Sequence, residues 1–206
     1  MVHRDGIPKN NGNREKREKI LDKLLLIGAG GFGRVVLEEA EQQYECAFVD
    51  DGLEAGTTVC GIPVVGHLAD LAELRKHYDN VIVTIGNNKL REKIYSNIKA
   101  LHFSCPNIVS PSAFISKFAS IGCGCVILNN AVIQNGAMVG NGVLVNSGVE
   151  IGHDSSVDDN SIVYANTVIR TGAKVGKRAR IGSNVTIGNN VLVPDDAEVK
   201  NGVVLD

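Results

Sequence analysis

The chain has 206 residues, 21 basic against 23 acidic side chains, 9 aromatics, no Trp and 23 Gly. That length allows one or two domains. The near-neutral charge gives no electrostatic reason to expect nucleic acid or an anionic membrane as partner. No apolar run approaches the ~20 residues of a bilayer span, and the start of the chain is polar where a signal peptide would be apolar, which predicts a soluble, cytoplasmic protein. The five cysteines (Cys46, Cys60, Cys105, Cys123, Cys125) form no C-x-x-C pair, so they read as reduced thiols and not as a disulfide frame or zinc site.

Residues 1–22 are hydrophilic with mixed charge (Arg14-Glu15-Lys16-Arg17-Glu18-Lys19) and read as a solvated arm. Residues 23–106 read as a small α/β unit. Leu24 to Ile27 is a short buried-strand run, followed by Gly28-Ala29-Gly30-Gly31-Phe32-Gly33 and a helix-like stretch from Arg34 to Gln43. Cys46 to Val49 reads as a second strand ending in Asp50-Asp51. Val81 to Ile85 reads as a third, ending in Gly86-Asn87-Asn88 before a helix from Lys89 to Ala100. In a parallel sheet these three motifs meet at the carboxyl ends of their strands, where open α/β sheets bind ligands. The G-x-G-x-x-G form with an acid about 20 residues on admits NAD, but the unit is about half a complete two-lobed dinucleotide domain. Two other readings stand beside it: glycines needed only for helix-to-strand packing, and a different phosphate-bearing ligand at the helix N-terminus.

From Val109 to Val199, every sixth residue is Ile or Val. Two places before each, from Ala113 on, stands a residue no larger than Val. This fits neither a 3.6-residue helix nor a two-sided strand; it suits short strands joined by tight turns, the hexapeptide repeat of a parallel β-helix. The aliphatic residue should point inward, and the Gly, Asn and Asp that follow it supply the corners. Three hexads per coil give about five coils, so residues 107–206 form the second domain.

Of the five histidines only His153 lies in the repeat, so a three-imidazole zinc site cannot be built there, and no metal is expected. His153 follows inward Ile151 by two residues and should sit outside, near a corner. Asp154 adjoins it, and Asn146, seven residues back, is expected to reach the same groove. Imidazole is the side chain suited to taking a proton near neutral pH.

The ordered set of Gly28 to Gly33, Asp50-Asp51, Ile85-Gly86-Asn87-Asn88 with Arg91, the Asn107 to Pro111 entry into the hexads, and Asn146 with His153-Asp154 resembles the bacterial sugar acyltransferases typified by PglD and NeuD. The resemblance covers nearly all of residues 24–202. It implies a Rossmann-like domain followed by a left-handed β-helix, a homotrimer, acetyl-CoA as co-substrate and a nucleotide-linked sugar as acceptor. It further implies His153 as general base, with Asp154 holding the imidazole. Gly30, Gly31, Phe32, Asp50, Asp51, Gly86, Asn87, Asn88 and Asn146 would bind the nucleotide sugar, and Ile162 and Ser183 would lie on the coenzyme path. Two departures stand out: Phe32 occupies a place where many relatives have His, and Ile162 one where a second His often meets acetyl-CoA. N-acetylation of a UDP- or dTDP-linked 4-amino-deoxy sugar is the leading expectation. The alternatives are sugar O-acetylation of the sialic acid type and, from another class, a non-catalytic nucleotide-sugar-binding trimeric scaffold.

Overall fold

The computed structural model describes residues 21–206. The polar arm expected over residues 1–22 therefore falls almost wholly outside the described residues. The α/β unit opens with β1 (Asp22–Ile27), α1 (Gly31–Ala40) and β2 (Tyr44–Val49). It continues through β3 (Thr58–Val59), β4 (Ile62–Gly66), the short α2 (Leu71–Leu74), β5 (Asn80–Val83) and α3 (Asn88–Ala100). The sheet order is β3-β4-β2-β1-β5, parallel except for β3. Since β1 is flanked by β2 on one side and β5 on the other, the chain reverses direction across the sheet there. That reversal opens a crevice at the carboxyl ends of the strands.

The sequence pattern placed α1 three residues late, because the end of the glycine motif is already helical. Gly33 shows why: a Cβ there would stand 1.8 Å from the Gly28 carbonyl oxygen, so only glycine lets α1 close on the strand. The β3–β4 hairpin and α2 were not foreseen. Their runs are too short to show a period.

From Ile108 to Leu205 the chain forms seventeen two-residue strands stacked in three parallel sheets of six, five and six strands. Each strand but the last three pairs with the one eighteen residues on, as Val132 does with Glu150 and Ile133 with Ile151. Three hexads therefore make one coil, and the repeat runs one hexad past Val199, to Leu205. Ile127, Ile133, Ile151, Val163, Ile169, Ile181 and Ile187 point inward and are at most 1% exposed. The small-residue column fills the same core. Where it is polar it is satisfied internally: Ser161 Oγ donates to the Gly176 carbonyl and Thr167 Oγ1 to that of Gly182.

The corners carry a second period of six. Every sixth residue from Gly124 to Gly202 has a positive φ, and all but one are Gly, Asn or Asp, the residues that enter the left-handed region at least cost. The exception is Arg178 (φ 54°). Its guanidinium is held by Asp196 (2.9 Å) and Glu92 (3.0 Å).

The α/β unit docks on one face of the prism. The outward residues of that face, spaced by eighteen, are Ile108, Val126, Leu144 and Ile162, and they join Leu24, Val36, Leu37 and Phe48 in one buried cluster. Beyond them the column turns polar, at Arg180 and Glu198. A polar seam runs alongside. Tyr95 Oη donates to Gly124 O, Arg91 Nε to Gly142 O, and Asn88 Nδ2 to Arg178 O and Ala179 O, so one face of α3 reaches successive coils. Arg91 is fully buried, without a carboxylate among its partners. Its other donors serve Ile85 O (2.8 Å), Asn88 Oδ1 (3.0 Å), Ser161 O (3.3 Å) and Asn160 O. Burial pushes its guanidinium down to about 10, which leaves it charged near neutral pH.

Candidate active site

Three recesses gather most of the residues singled out in the sequence. The first is a cleft of about 410 Å³ at the carboxyl ends of β1, β2 and β5, lined by Gly30, Gly31, Phe32, Asp50, Asp51 and Gly86 among others. A Cβ built on Gly30, Gly31 or Gly86 would meet no protein atom within 4 Å. These three glycines are not required by packing, in contrast to Gly33. They leave open space along the cleft and bare backbone at the α1 N-terminus, where N–H groups and the helix dipole favour an anion.

The acids beneath are already anchored. Asp50 accepts from Ala29 N (2.8 Å) and Gly52 N (2.9 Å), tying the glycine loop to the end of β2. Asp51 accepts from Leu68 N with one oxygen (2.8 Å). The other oxygen has no hydrogen bond among the described residues. Thr84, which the sequence reading did not single out, donates to Ile27 O and Gly28 O and holds the glycine turn from the β5 side.

Asn87 and Asn88, expected to bind substrate, both carry contacts within the protein. Asn87 caps α3, its Oδ1 accepting from Leu90 N at 3.0 Å. Asn88 spends its amide on Arg91 and on the Arg178 and Ala179 carbonyls, so it belongs to the seam.

The second recess is a groove of about 580 Å³ on a corner of the β-helix, lined by Phe114, Ser116, Gln134, Asn135, His153 and Asp154. Asp154 occupies a left-handed corner position (φ 59°) and places Oδ2 2.8 Å from His153 Nδ1. Its short side chain suits both tasks, since a corner of that kind disfavours longer residues such as Glu. His153 is further fixed by Gln134, whose Oε1 accepts the His153 backbone N–H (3.1 Å) and whose Nε2 donates to Glu150 Oε1 (2.7 Å). On the other ring nitrogen, Nε2 lies 3.0 Å from Thr171 Oγ1. Gln134 and Thr171 went unnoticed in the sequence, yet the eighteen-residue coil repeat was the available signal: Thr171 is His153 plus one coil.

Asn146 does not join this groove. Seven residues amount to one strand plus a turn, so it sits at the preceding corner, where Nδ2 donates to Val163 O (3.0 Å). Ile162 is also corrected. It is 2% exposed beneath the α/β unit and is no coenzyme contact within this chain, because its outward position lies on the docking face.

The third recess, about 670 Å³, is lined by Ser183 with Tyr164, Arg180, Lys200 and Asn201 among others. Arg180 stacks over Tyr164 (4.8 Å) and donates to Gly86 O (3.3 Å), so this recess adjoins the glycine cleft. Among the described residues, no group of three or more His, Cys, Asp or Glu is arranged to hold a metal ion, and no helix is long and apolar enough to cross a membrane.

A family model described as the PglD N-terminal domain matches residues 23–98, and one described as the bacterial transferase hexapeptide (six repeats) matches residues 154–189. Among solved structures, the acetyltransferase domain of PglB from Neisseria gonorrhoeae is similar at 32% identity and TM-score 0.85, over 89% of this chain and 91% of that one. The same domain in complex with acetyl coenzyme A aligns at 30% identity and TM-score 0.81, over 89% and 95%. PerB from Caulobacter crescentus, in complex with CoA and GDP-perosamine, aligns at 27% identity and TM-score 0.74, over 89% and 91%. These matches span both halves in the order seen here, and the chain belongs to the PglD/NeuD-like family of sugar acetyltransferases, with a Rossmann-like domain and a left-handed hexapeptide β-helix.

Proposed function

We propose that this protein transfers an acetyl group from acetyl-CoA to the amine of a UDP- or dTDP-linked 4-amino-deoxy sugar, with His153 as general base. The observation that carries this reading is the His153 Nδ1 to Asp154 Oδ2 contact of 2.8 Å on an outer corner of the β-helix. A carboxylate can only accept, so Nδ1 carries the ring proton and Nε2 presents its lone pair.

The glycine cleft takes the nucleotide diphosphate: backbone N–H groups of the glycine loop face the phosphates, and the free oxygen of Asp51 receives a ribose or base donor. The amine attacks the thioester carbonyl as His153 removes its proton. A C–N bond forms, the C–S bond breaks, and the imidazolium returns the proton to the departing thiolate of CoA. Direct transfer of this kind gains from holding both substrates together and from base catalysis, and requires no covalent enzyme intermediate. Acetyl-CoA runs along the β-helix toward the Ser183 recess, where Arg180 and Lys200 supply positive charge. The exposed Phe114, Phe118 and Met138 support association of β-helices into the homotrimer implied by the resemblance. A cytoplasmic location fits substrates of this kind.

The test is CoA release from acetyl-CoA with a panel of UDP-, dTDP- and GDP-linked 4-amino sugars and free sialic acid. GDP is included because PerB was solved with GDP-perosamine. Release with an amino sugar, reduced at least ~10²-fold in His153→Ala with the oligomer unchanged, is the expected outcome. Release only with sialic acid moves the protein to O-acetylation. Silence throughout, with no CoA binding, supports the scaffold reading.

A further inference from the structure

In the structure the lone pair that His153 needs for proton uptake is already engaged. In the neutral ring, with the Nδ1 proton directed at Asp154, the 3.0 Å contact between Nε2 and Thr171 Oγ1 is one in which the Thr171 hydroxyl donates and Nε2 accepts. Thr171 stands one coil beyond His153, beside the groove that His153 and Asp154 line. The basic nitrogen therefore faces along the prism toward Thr171. An amine approaching Nε2 meets the threonine hydroxyl first. Clearing the way by rotation is unfavourable: Thr is β-branched and stiff at χ1, and one rotamer step puts a methyl or a hydrogen where the imidazole needs a polar partner.

We infer that Thr171 is a catalytic residue that relays the proton between the acceptor amine and His153. In the transfer step the nitrogen of the attacking amine gives its proton to Thr171 Oγ1 while the hydroxyl proton moves to Nε2. The hydroxyl is regenerated, the imidazolium carries the net proton, and no other reactant is needed. The inference rests on the acetyltransferase reading above and adds a second group to its proton path.

Three variants test it on the full-length protein, with the substrate identified by the panel. Thr171→Val keeps the shape and removes the hydroxyl; kcat should fall about 10²-fold with the KM for acetyl-CoA unchanged. Thr171→Ser should stay within about threefold of the parent. Thr171→Ala, which leaves room for a water to stand in for the hydroxyl, should fall between them. Thr171→Val activity at or above the parent's would overturn the relay and make Thr171 an obstacle to the base. A separate readout is nitrogen NMR of the His153 ring: loss of the donated hydrogen bond should move the Nε2 resonance in Thr171→Val and leave it in place in Thr171→Ser. An unmoved resonance would overturn the contact itself. A parent protein that turns over no substrate fails the acetyltransferase reading, and the relay falls with it; an active parent with an equally active valine variant fails the relay alone.

Discussion

The glycine cleft and the His153 groove prepare for ligands by opposite means. In the cleft the side chains are withdrawn: Gly30, Gly31 and Gly86 leave space that nothing in the protein fills, and Asp50 is already tied down by two backbone N–H groups. Along the corner beside the groove the side chains are displayed, one per coil, with Gln134, His153 and Thr171 linked in sequence. A binding cleft can thus be recognised by what its backbone leaves out, and a reacting centre by what successive coils add.

The strongest way to break this comparison is to put a methyl group on two glycines of the same loop. In Gly33→Ala the new Cβ would overlap the Gly28 carbonyl and press on Thr84 Oγ1. Backbone cannot yield cheaply there, and a loss of about 3 kcal/mol or more is expected, measured by thermal or urea unfolding. Gly31→Ala should do the reverse. Its Cβ meets nothing and Ala suits the first turn of α1, so stability should be unchanged or raised by up to about 1 kcal/mol. Its affinity for the nucleotide sugar, read by calorimetry, should nevertheless fall at least ~10-fold. Equal affinity in Gly31→Ala would mean the open space serves no ligand.

The comparison also explains which features were legible in the sequence. The β-helix was readable because inward positions tolerate only Ile, Val and small residues, and that restriction recurs every six residues without a gap. The glycine loop and the two acids were readable because close backbone approach demands particular residues. What escaped was written at a spacing of eighteen. Ile108, Val126, Leu144 and Ile162 form a column only after the chain is wound three hexads to a coil, and at hexad spacing they look like ordinary variation. The same winding brings Thr171 to His153 and keeps Asn146 away from it. Asn88 and Arg91 were noticed as part of a motif, but their partners are backbone carbonyls, which no side-chain pattern reveals.

The seam between the two regions offers a second, smaller test. Arg91→Met keeps the length and apolar stem but removes the guanidinium donors serving the Ile85, Gly142 and Asn160 carbonyls, while Ser161 O keeps the Leu144 N–H. Buried carbonyls stripped of partners cost about 1–3 kcal/mol each where water cannot replace the donor. A destabilisation of about 3 kcal/mol is expected, read by denaturant unfolding, with early proteolysis between α3 and the β-helix. Arg91→Lys should recover only part of it, because an ammonium cannot span the carbonyls reached by a planar fork. A methionine variant as stable as the parent would mean that the apolar column alone holds the two regions together.

The finest test separates the neighbouring acids at the end of β2, whose carboxylates are spent differently. Asp50 uses both oxygens within the protein, so in Asp50→Asn one backbone N–H faces an amide NH₂, and stability should drop by about 1–2 kcal/mol. Asp51 uses one oxygen, on Leu68 N, which an asparagine carbonyl can replace. Stability of Asp51→Asn should therefore lie within about 0.5 kcal/mol of the parent. Its cost should appear in binding instead: the NH₂ replaces the acceptor that lines the cleft, and affinity for a nucleotide sugar should weaken about 10-fold. If Asp50→Asn lost affinity without stability, and Asp51→Asn the reverse, the assignment of one acid to the loop and the other to the ligand would have to be exchanged, and with it the direction from which the sugar nucleotide enters.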